Sequence, residues 1–490
     1  MATSDAHGGA PAASVGGPSG PVEVGVVTLA AIVVGSMVGA GVFSLPSRFA
    51  EQTGVVGALV AWGIAGLGML TLAIAFQRLA VRRPDLDAGV YAYAKEGFGE
   101  LLGFFSAFGY WASACVGNVT YWVLIMSTIG AVVPALGDGD TVLAMVLSSL
   151  GLWGFFLLVR RGVREATALN RIVTIAKLVP IVVFVLLALF AFDPEVFAGN
   201  LLAGGAASVG GATLFEQVQG TMLVTVFVFL GVEGASVYSR HARRRADVGR
   251  ATVSGFLAVF AVFASVTIVS YGVLPASELA ALRQPSMAGV LEAAVGPWGA
   301  VLVSIGLIVS VLGAYLAWTL MAAEVVFMAA RDGDMPRGFA RTNDRDVPVG
   351  ALLASTVFAQ AILVVAYFSS DAFDFALDMT SALALIPYLF AAGFMLKLAI
   401  GRRGGADRRV GDILIGAIAT VYVVFLLLGA GLTYVLVSFI VQAPATILFV
   451  LARREQGRRM LRPGEAVIVA LAVAAAATGV VGLAAGWIVL

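Results

Sequence analysis

Apolar runs of about twenty residues recur along this chain of 490 residues, and they limit its fold more than any other feature. Hydrophobic residues make up 60% of the chain and charged residues only 12%, which is too little charge to cover the surface of a soluble protein of this size. The short alternating segments of a membrane β-barrel are absent from the sequence. The sequence therefore predicts an all-α, multi-span membrane protein.

The apolar runs predict thirteen transmembrane helices. Their expected limits are 24–47, 55–80, 98–132, 142–160, 170–192, 220–238, 249–273, 297–330, 349–369, 374–399, 411–430, 432–452 and 465–489. Residues 1–23 are rich in Gly, Ala, Pro and Ser and contain no Lys or Arg. A secretory signal needs a basic start, so we expect this segment to be a disordered cytoplasmic tail.

The charged residues between the spans are divided by sign. Basic clusters occur on one side, at Arg78 to Lys95, Arg160 to Lys177, Arg240 to Arg250, Arg331 to Arg345, Lys397 to Arg409 and Arg453 to Arg462. The other side holds GDGD at 137–140, Asp193, Glu195, Asp371, Asp374 and Asp378, and its only arginines are Arg48 and Arg283. Because basic loops stay inside the cell, we expect a multi-pass plasma-membrane protein with a cytoplasmic amino terminus.

Composition also argues against several kinds of site. The net charge of +1 gives no global case for nucleic-acid binding. Cys115 is the only cysteine, and His7 and His241 are the only histidines, so neither a disulfide nor a Cys- or His-based metal site is expected. No phosphate-binding motif of the ATP-driven pumps occurs, and we expect no cofactor.

Glycines interrupt the first span. Residues 35–46 read GSMVGAGVFSLP, in which Gly35, Gly39 and Gly41 lie where a membrane helix would normally be continuous. Each glycine costs a helix about 1 kcal/mol relative to alanine. A second interruption, FVFLGVEGASVY at 227–238, has Gly231 and Gly234 around Glu233 in the sixth span.

Two breaks at equivalent positions are typical of a transporter built from two five-helix halves of inverted topology. Unwound backbone is tolerated at membrane depth where protein or a water-filled cavity satisfies it. Its free N–H groups suit a carboxylate and its free carbonyls suit an ammonium group, and an α-amino acid carries both. The alternative is close helix packing, because Gly35 and Gly39 have the Gly-x-x-x-Gly spacing.

Three segments resemble the amino acid–polyamine–organocation (APC) superfamily. They are GSMVGAGVFSLP, TVFVFLGVEGASVYS and LAWTLMAAEVVFMAARDGDMP at 316–336. They are most similar to the basic amino acid/polyamine antiporter branch, which includes arginine/ornithine and lysine exchangers. The resemblance implies a LeuT-type 5+5 inverted repeat with broken helices 1 and 6. The transporter core would then be residues 24–399, with additional transmembrane helices at 400–490.

The resemblance also implies substrate-binding residues. They are Ser36, Met37, Gly39, Ala40, Gly41, Tyr110, Asn118, Phe227, Glu233, Trp318 and Tyr388. The first five would offer backbone groups to the substrate head group. Phe227 occupies the position of a tryptophan that stacks on guanidinium in the arginine/agmatine exchanger, and phenylalanine makes a weaker cation–π contact. Trp318 and Tyr388 match gating residues, and the superfamily suggests a homodimer as an assembly to test.

Two acidic residues are candidates for proton coupling. An ionisable residue inside a membrane is costly, so Glu233 and Glu324 are functional candidates by default. The alternatives are that Glu233 is a structural acid held by hydroxyls such as that of Tyr110, and that Glu324 faces the basic loop.

These observations predict a secondary transporter that exchanges arginine, lysine and ornithine by alternating access. The nearest alternative is a proton-coupled or uniport carrier of neutral amino acids or amines. Alternatives of other classes are a non-transporting amino acid sensor and a channel, although the loops are short and no selectivity filter is evident. An enzyme has the least support, because Glu233 and Glu324 have no partner base or metal ligands at a useful spacing.

Overall fold

The computed structural model of the protein describes residues 26–86, 90–162, 166–202, 212–233, 245–369, 371–401 and 410–488. The predicted tail at 1–23, Gly234, His7 and His241 lie outside these ranges. The described residues form helices, turns and connecting segments without a strand. The prediction of an all-α protein is therefore confirmed for the described part of the chain.

The α-helices of the described residues are, in chain order, α1 (Val26–Met37), α2 (Leu45–Ala50), α3 (Val55–Arg82), α4 (Val90–Phe98), α5 (Glu100–Gly130), α6 (Val142–Arg160), α7 (Ala166–Phe190), α8 (Pro194–Gly199), α9 (Leu214–Gly220), α10 (Met222–Phe229), α11 (Arg245–Ser270), α12 (Ala276–Ala280), α13 (Ser286–Val295), α14 (Pro297–Arg331), α15 (Val349–Tyr367), α16 (Ala372–Ile400), α17 (Val410–Gly429), α18 (Gly431–Glu455) and α19 (Pro463–Ala484). Short 3₁₀ turns lie at Gly41–Ser44, Pro134–Leu136 and Arg337–Ala340.

Ten of the described helices are long and apolar enough to cross a membrane, namely α3, α5, α6, α11 and α14 to α19. An eleventh candidate is a bent pair, Leu29–Met37 with Gly41–Ala50, whose halves meet at 46°. The segments Lys177–Phe190 and Leu214–Phe229 are apolar but shorter. A multi-span membrane protein is thus confirmed, whereas the count of thirteen spans stays a prediction.

Helix α5 forms the centre of the bundle. In its most apolar stretch 94% of the residues are buried, compared with 17% for α19. It packs against α14, α15 and α16 along its length. The carboxyl-terminal helix α19 packs mainly on α18 and therefore lies at the periphery.

An aromatic cluster supports the backbone next to the interruptions of the first and sixth spans. The ring of Phe49, in α2, stacks on Trp62 at 5.2 Å between centroids. Trp62 also meets Phe229, the last residue of α10, edge-on at 5.9 Å. These rings join α2, α3 and α10 in one apolar core and hold the broken segments in position.

Both arginines of the predicted acidic side bind acidic residues of that side. Arg48 contacts Asp374 at 2.5 Å and Asp378 at 3.1 Å. Arg283 pairs with Asp138 of the GDGD sequence. The two arginines on the side that the sequence predicts to be acidic are therefore paired with carboxylates.

Candidate functional site

The first break lies between α1 and the 3₁₀ turn at Gly41–Ser44. A side-chain Cβ at Gly39 would lie 2.8 Å from the Tyr121 hydroxyl oxygen, and one at Gly41 would lie 2.7 Å from Cδ1 of Phe227. Both distances are shorter than ordinary van der Waals contact. The two glycines therefore allow α5 and α10 to approach the unwound backbone closely, so close packing and the interruption occur together.

The second break begins after Phe229. Leu230 leaves the helix with an extended ψ of 135°, and Gly231 follows with φ +99°. A Cβ at Gly231 would lie 2.8 Å from the carbonyl oxygen of Ser36. Both the backbone conformation and the available space thus require glycine at this position.

A hydrogen bond joins the two breaks. The Ser36 hydroxyl donates to the Gly231 carbonyl oxygen at 2.9 Å and to the Val33 carbonyl oxygen at 2.8 Å. The unwound segments of the first and sixth spans are therefore in direct contact.

A cavity lies between the breaks. It is lined by Ser36, Met37, Gly39, Gly41, Phe227, Val228 and Leu230 of the broken spans, Ser113, Ala114, Gly117 and Tyr121 of α5, Trp318 of α14 and Thr380 of α16. Six of the predicted site residues are among them, namely Ser36, Met37, Gly39, Gly41, Phe227 and Trp318. No lining residue carries a charged side chain.

Glu233 lies outside the cavity lining and is only 1% exposed. The Tyr110 hydroxyl donates to its Oε1 at 2.5 Å, and the Tyr388 hydroxyl donates to its Oε2 at 2.8 Å. The ring of Tyr110 is also 6.3 Å from that of Trp318, between centroids. Three predicted residues thus form one buried network directly behind a cavity aromatic.

The remaining predicted residues take other positions. Ala40 is fully buried within the first break, outside the cavity lining. Asn118 donates from Nδ2 to the Thr319 hydroxyl at 3.1 Å and so links α5 to α14. Glu324 is exposed on the surface of α14 and is separate from the cavity.

Lys177 was expected in a basic helix-end cluster, and the structure gives it a different position. Its side chain is buried, and its Nζ donates to the Gly35 carbonyl oxygen at the first break, at 3.0 Å. The signal was an isolated lysine within an apolar helix, which is costly without a specific partner.

Seven cavity residues lie outside the predicted set, namely Ser113, Ala114, Gly117, Tyr121, Val228, Leu230 and Thr380. Tyr121 follows Asn118 by three residues, a spacing that places both on one face of α5. The Ser113 hydroxyl donates to the Thr380 carbonyl oxygen at 2.7 Å, which fixes α16 against α5 at the cavity. Among the described residues, no group of three or more His, Cys, Asp or Glu side chains is arranged to hold a metal ion.

Comparisons with known proteins identify the family. A family model described as amino acid permease matches residues 24–452. The chain is 45% identical to an arginine/ornithine antiporter of Pseudomonas aeruginosa, with 94% of this chain and 97% of that protein aligned.

Two further relatives are similar over nearly their full lengths. The chain is 40% identical to an L-lysine transport protein of Corynebacterium glutamicum, over 97% of this chain and 98% of the relative. It is 33% identical to an arginine/ornithine antiporter of Latilactobacillus sakei, over 96% of this chain and 98% of that protein. This chain of membrane helices around two touching breaks belongs to the amino acid permease family of the APC superfamily.

Proposed function

We propose that this protein exchanges basic amino acids, namely arginine, lysine and ornithine, across the plasma membrane by alternating access. The observation that carries the proposal is the cavity between the two contacting breaks, which combines unwound backbone with the aromatic rings of Tyr121, Phe227 and Trp318. The relatives named as arginine/ornithine antiporters and as a lysine transport protein support the same substrate class.

The proposed architecture is a 5+5 inverted repeat within 24–399, followed by three further spans. In such a repeat the third span corresponds to the eighth, as the first corresponds to the sixth. Two features support this arrangement. The helices of the third and eighth spans, α5 and α14, are the longest of the described helices, with 31 and 35 residues, and they pack against each other. The two broken spans are also the expected equivalent pair. The charge asymmetry supports a cytoplasmic amino terminus.

The substrate head group would bind the backbone of the breaks, near Ser36 and Gly39. The side-chain cation would extend between Phe227 and Trp318, both of which line the cavity. Because the cavity lining carries no carboxylate, the aromatic faces would provide the main attraction for the cation. A cation–π contact is worth about 0.5–2 kcal/mol, so recognition of the side chain would be moderate and the backbone contacts would carry much of the affinity.

Glu233 would act behind the cavity and without contacting the substrate. Two tyrosine hydroxyls hold its carboxylate, so its expected role is to position Tyr110 against Trp318. The buried carboxylate also favours a second candidate, a carrier in which Glu233 binds the coupling proton. The exposed position of Glu324 makes it the weaker of the two candidates for proton coupling.

Uptake into proteoliposomes distinguishes the two candidates. Labelled arginine would be offered to vesicles that are empty, loaded with ornithine, or empty with an imposed proton gradient. We expect arginine uptake only into the vesicles loaded with ornithine. Glu233→Gln should show the same dependence on ornithine, at a lower rate than the wild type. Uptake into empty vesicles that depends on the proton gradient and is lost in Glu233→Gln would instead establish proton coupling.

A further inference from the structure

A second cavity lies at the junction of α3 and α17. It is lined by Gln77, Arg78, Val81 and Arg82 from the end of α3 and by Asp412 from the first turn of α17. Its cavity volume is about 220 Å³, and it is open to the surroundings. One water molecule needs roughly 10–15 Å³ of such volume, so a much larger group fits here. We call it the α3–α17 cavity.

The charges in the α3–α17 cavity do not cancel. The guanidinium groups of Arg78 and Arg82 both contact the carboxylate of Asp412. Asp412 is almost completely buried, whereas the side chains of Arg78 and Arg82 are 31% and 36% exposed. Two cations and one anion leave one excess positive charge among the lining residues, and both cations are partly exposed.

The surroundings of the cavity are apolar. Val81, which lines it, is 38% exposed, and both helices present exposed leucines, such as Leu67 of α3 and Leu414 of α17. In a protein that spans a membrane, such side chains face lipid acyl chains. The cavity therefore offers a cationic recess beside an apolar surface, near the end of a membrane helix.

We propose that the α3–α17 cavity binds the phosphate of an anionic phospholipid headgroup. Arginine matches phosphate through two parallel N–H donors, and basic recesses between membrane helices are known headgroup sites. The two guanidinium groups would be shared between Asp412 and the phosphate, while the acyl chains cover the apolar faces of α3 and α17. The lipid would thereby fasten the carboxyl-terminal helices to the core. This proposal is independent of the transported substrate.

The test measures lipid retention by the purified full-length protein. Native mass spectrometry would count bound lipids after incubation with phosphatidylglycerol, with phosphatidylcholine, or with inorganic phosphate as the free anion. We expect the wild type to retain phosphatidylglycerol in preference to phosphatidylcholine and to melt at a higher temperature with it. A full melting shift with inorganic phosphate alone would overturn the assignment to lipid.

Two opposite changes in the cavity sharpen the test. Arg82→Gln should lower the preference for phosphatidylglycerol roughly fivefold, the effect expected of one arginine near an anionic membrane surface. Asp412→Asn removes the competing anion and should raise the preference by a similar factor. The triple variant Arg78→Gln, Arg82→Gln, Asp412→Asn leaves no charge on these side chains and should show no preference.

A matched control removes two charges elsewhere at the same end of the bundle. Arg337 and Arg341 are both exposed and lie in the loop after α14. Asp334 of the same loop binds Lys95 of α4 at 2.5 Å. The double variant Arg337→Gln, Arg341→Gln should keep the wild-type preference. The proposal is overturned if this control loses the preference as fully as the triple variant does, or if the triple variant, folded by its melting curve in phosphatidylcholine, retains it.

Discussion

At the scale of single residues, the contact between the two breaks depends on the backbone conformation of Gly231. Its φ of +99° is unfavourable for any L side chain, and a Cβ would lie only 2.8 Å from the Ser36 carbonyl oxygen. Gly231→Ala should destabilise the protein by about 1–3 kcal/mol because of the backbone conformation alone. It should also abolish exchange, because the added Cβ would push the two breaks apart. Thermal melting and arginine uptake check the two effects.

Gly63 is the matched control for this substitution. It lies in α3 with a helical φ and has no atom within 4 Å of its Cβ position. Gly63→Ala should leave uptake unchanged and should stabilise the helix by up to about 1 kcal/mol. Equal losses of uptake in the two variants would show that glycine matters at Gly231 for a reason other than the contact with Ser36.

Phe227 is the aromatic residue whose removal separates the recognition of cations from packing. Phe227→Leu keeps an apolar side chain in the cavity but removes the aromatic face, so the KM for arginine and lysine should rise about 2- to 30-fold. Phe229→Leu is the control, because that ring packs against Trp62 and lies outside the cavity lining. The KM of Phe229→Leu should stay near the wild-type value, although its melting temperature should fall. A KM for arginine that is unaffected by Phe227→Leu would contradict the cation–π contact.

The sequence indicated the two helix interruptions but not which side chains contact one another around them. Glycines inside an apolar run identified both breaks without any knowledge of the fold. Tyr110 and Tyr388, however, are 123 and 155 residues away from Glu233 in the chain, so only the packing of α5 and α16 shows that both hydroxyls bind one carboxylate. The contact of Lys177 with the first break was missed for the same reason, since the register of α7 against α1 is a tertiary property.

At the scale of helices, Arg48 ties the half-helix α2 to α16. Its guanidinium contacts Asp374 at 2.5 Å and Asp378 at 3.1 Å, and Glu51 lies 3.4 Å away. Arg48→Gln would leave three carboxylates together without a cation, a loss of about 3–5 kcal/mol for a buried pair. We expect Arg48→Gln to have a lower melting temperature. We also expect the cavity between the breaks to open more readily where α2 meets α16.

Two further measurements test that role of Arg48. Arg48→Lys keeps the charge but loses the planar donor array, so it should restore only part of the stability. If α2 is released, a thiol-reactive reagent should label a cysteine introduced at Ser113 faster in the Arg48→Gln background than in the wild-type one. Unchanged melting and labelling in Arg48→Gln would contradict a closing role for this cluster.

The limits of most helices were predictable because apolar runs of membrane length end at charged or glycine-rich segments. The short helices between them were less evident, because α2, α4, α8 and α12 are set by contacts with the bundle and have no long apolar run of their own. The sixth span shows the difference most clearly. It was expected at 220–238 with an interruption near Gly231, and the helix does end at Phe229, but the turn at Thr221 that separates α9 from α10 was not expected.

At the scale of the whole molecule, Arg453 connects the carboxyl-terminal helices to the centre of the bundle. Its side chain is 5% exposed and binds Glu100 at the start of α5 at 2.6 Å and Glu465 at the start of α19 at 2.7 Å. Arg453→Met should lower the free energy of unfolding by about 3–5 kcal/mol, because the buried cation that joins these two carboxylates is lost. Thermal melting in detergent measures this loss.

Arg458 is the control for Arg453. Its side chain is 60% exposed and lies 3.5 Å from the same Glu100. Because exposed ion pairs contribute about 0–1 kcal/mol, Arg458→Gln should melt close to the wild type. If Arg453→Met melted at the same temperature as Arg458→Gln, the carboxyl-terminal helices would not depend on this contact.

The central claim is that the substrate binds in the cavity between the two breaks. It is tested most directly by protection of a cysteine at Ser113, a cavity residue, in a Cys115→Ala background that removes the only native cysteine. A second variant, Ser277→Cys, places a thiol at an exposed position between α11 and α14 as the control. Both would be labelled in proteoliposomes with a thiol-reactive reagent, in the presence and absence of arginine. The account predicts that arginine and ornithine slow labelling at Ser113→Cys and leave Ser277→Cys unchanged, and undiminished labelling of Ser113→Cys in vesicles that actively exchange arginine would contradict it.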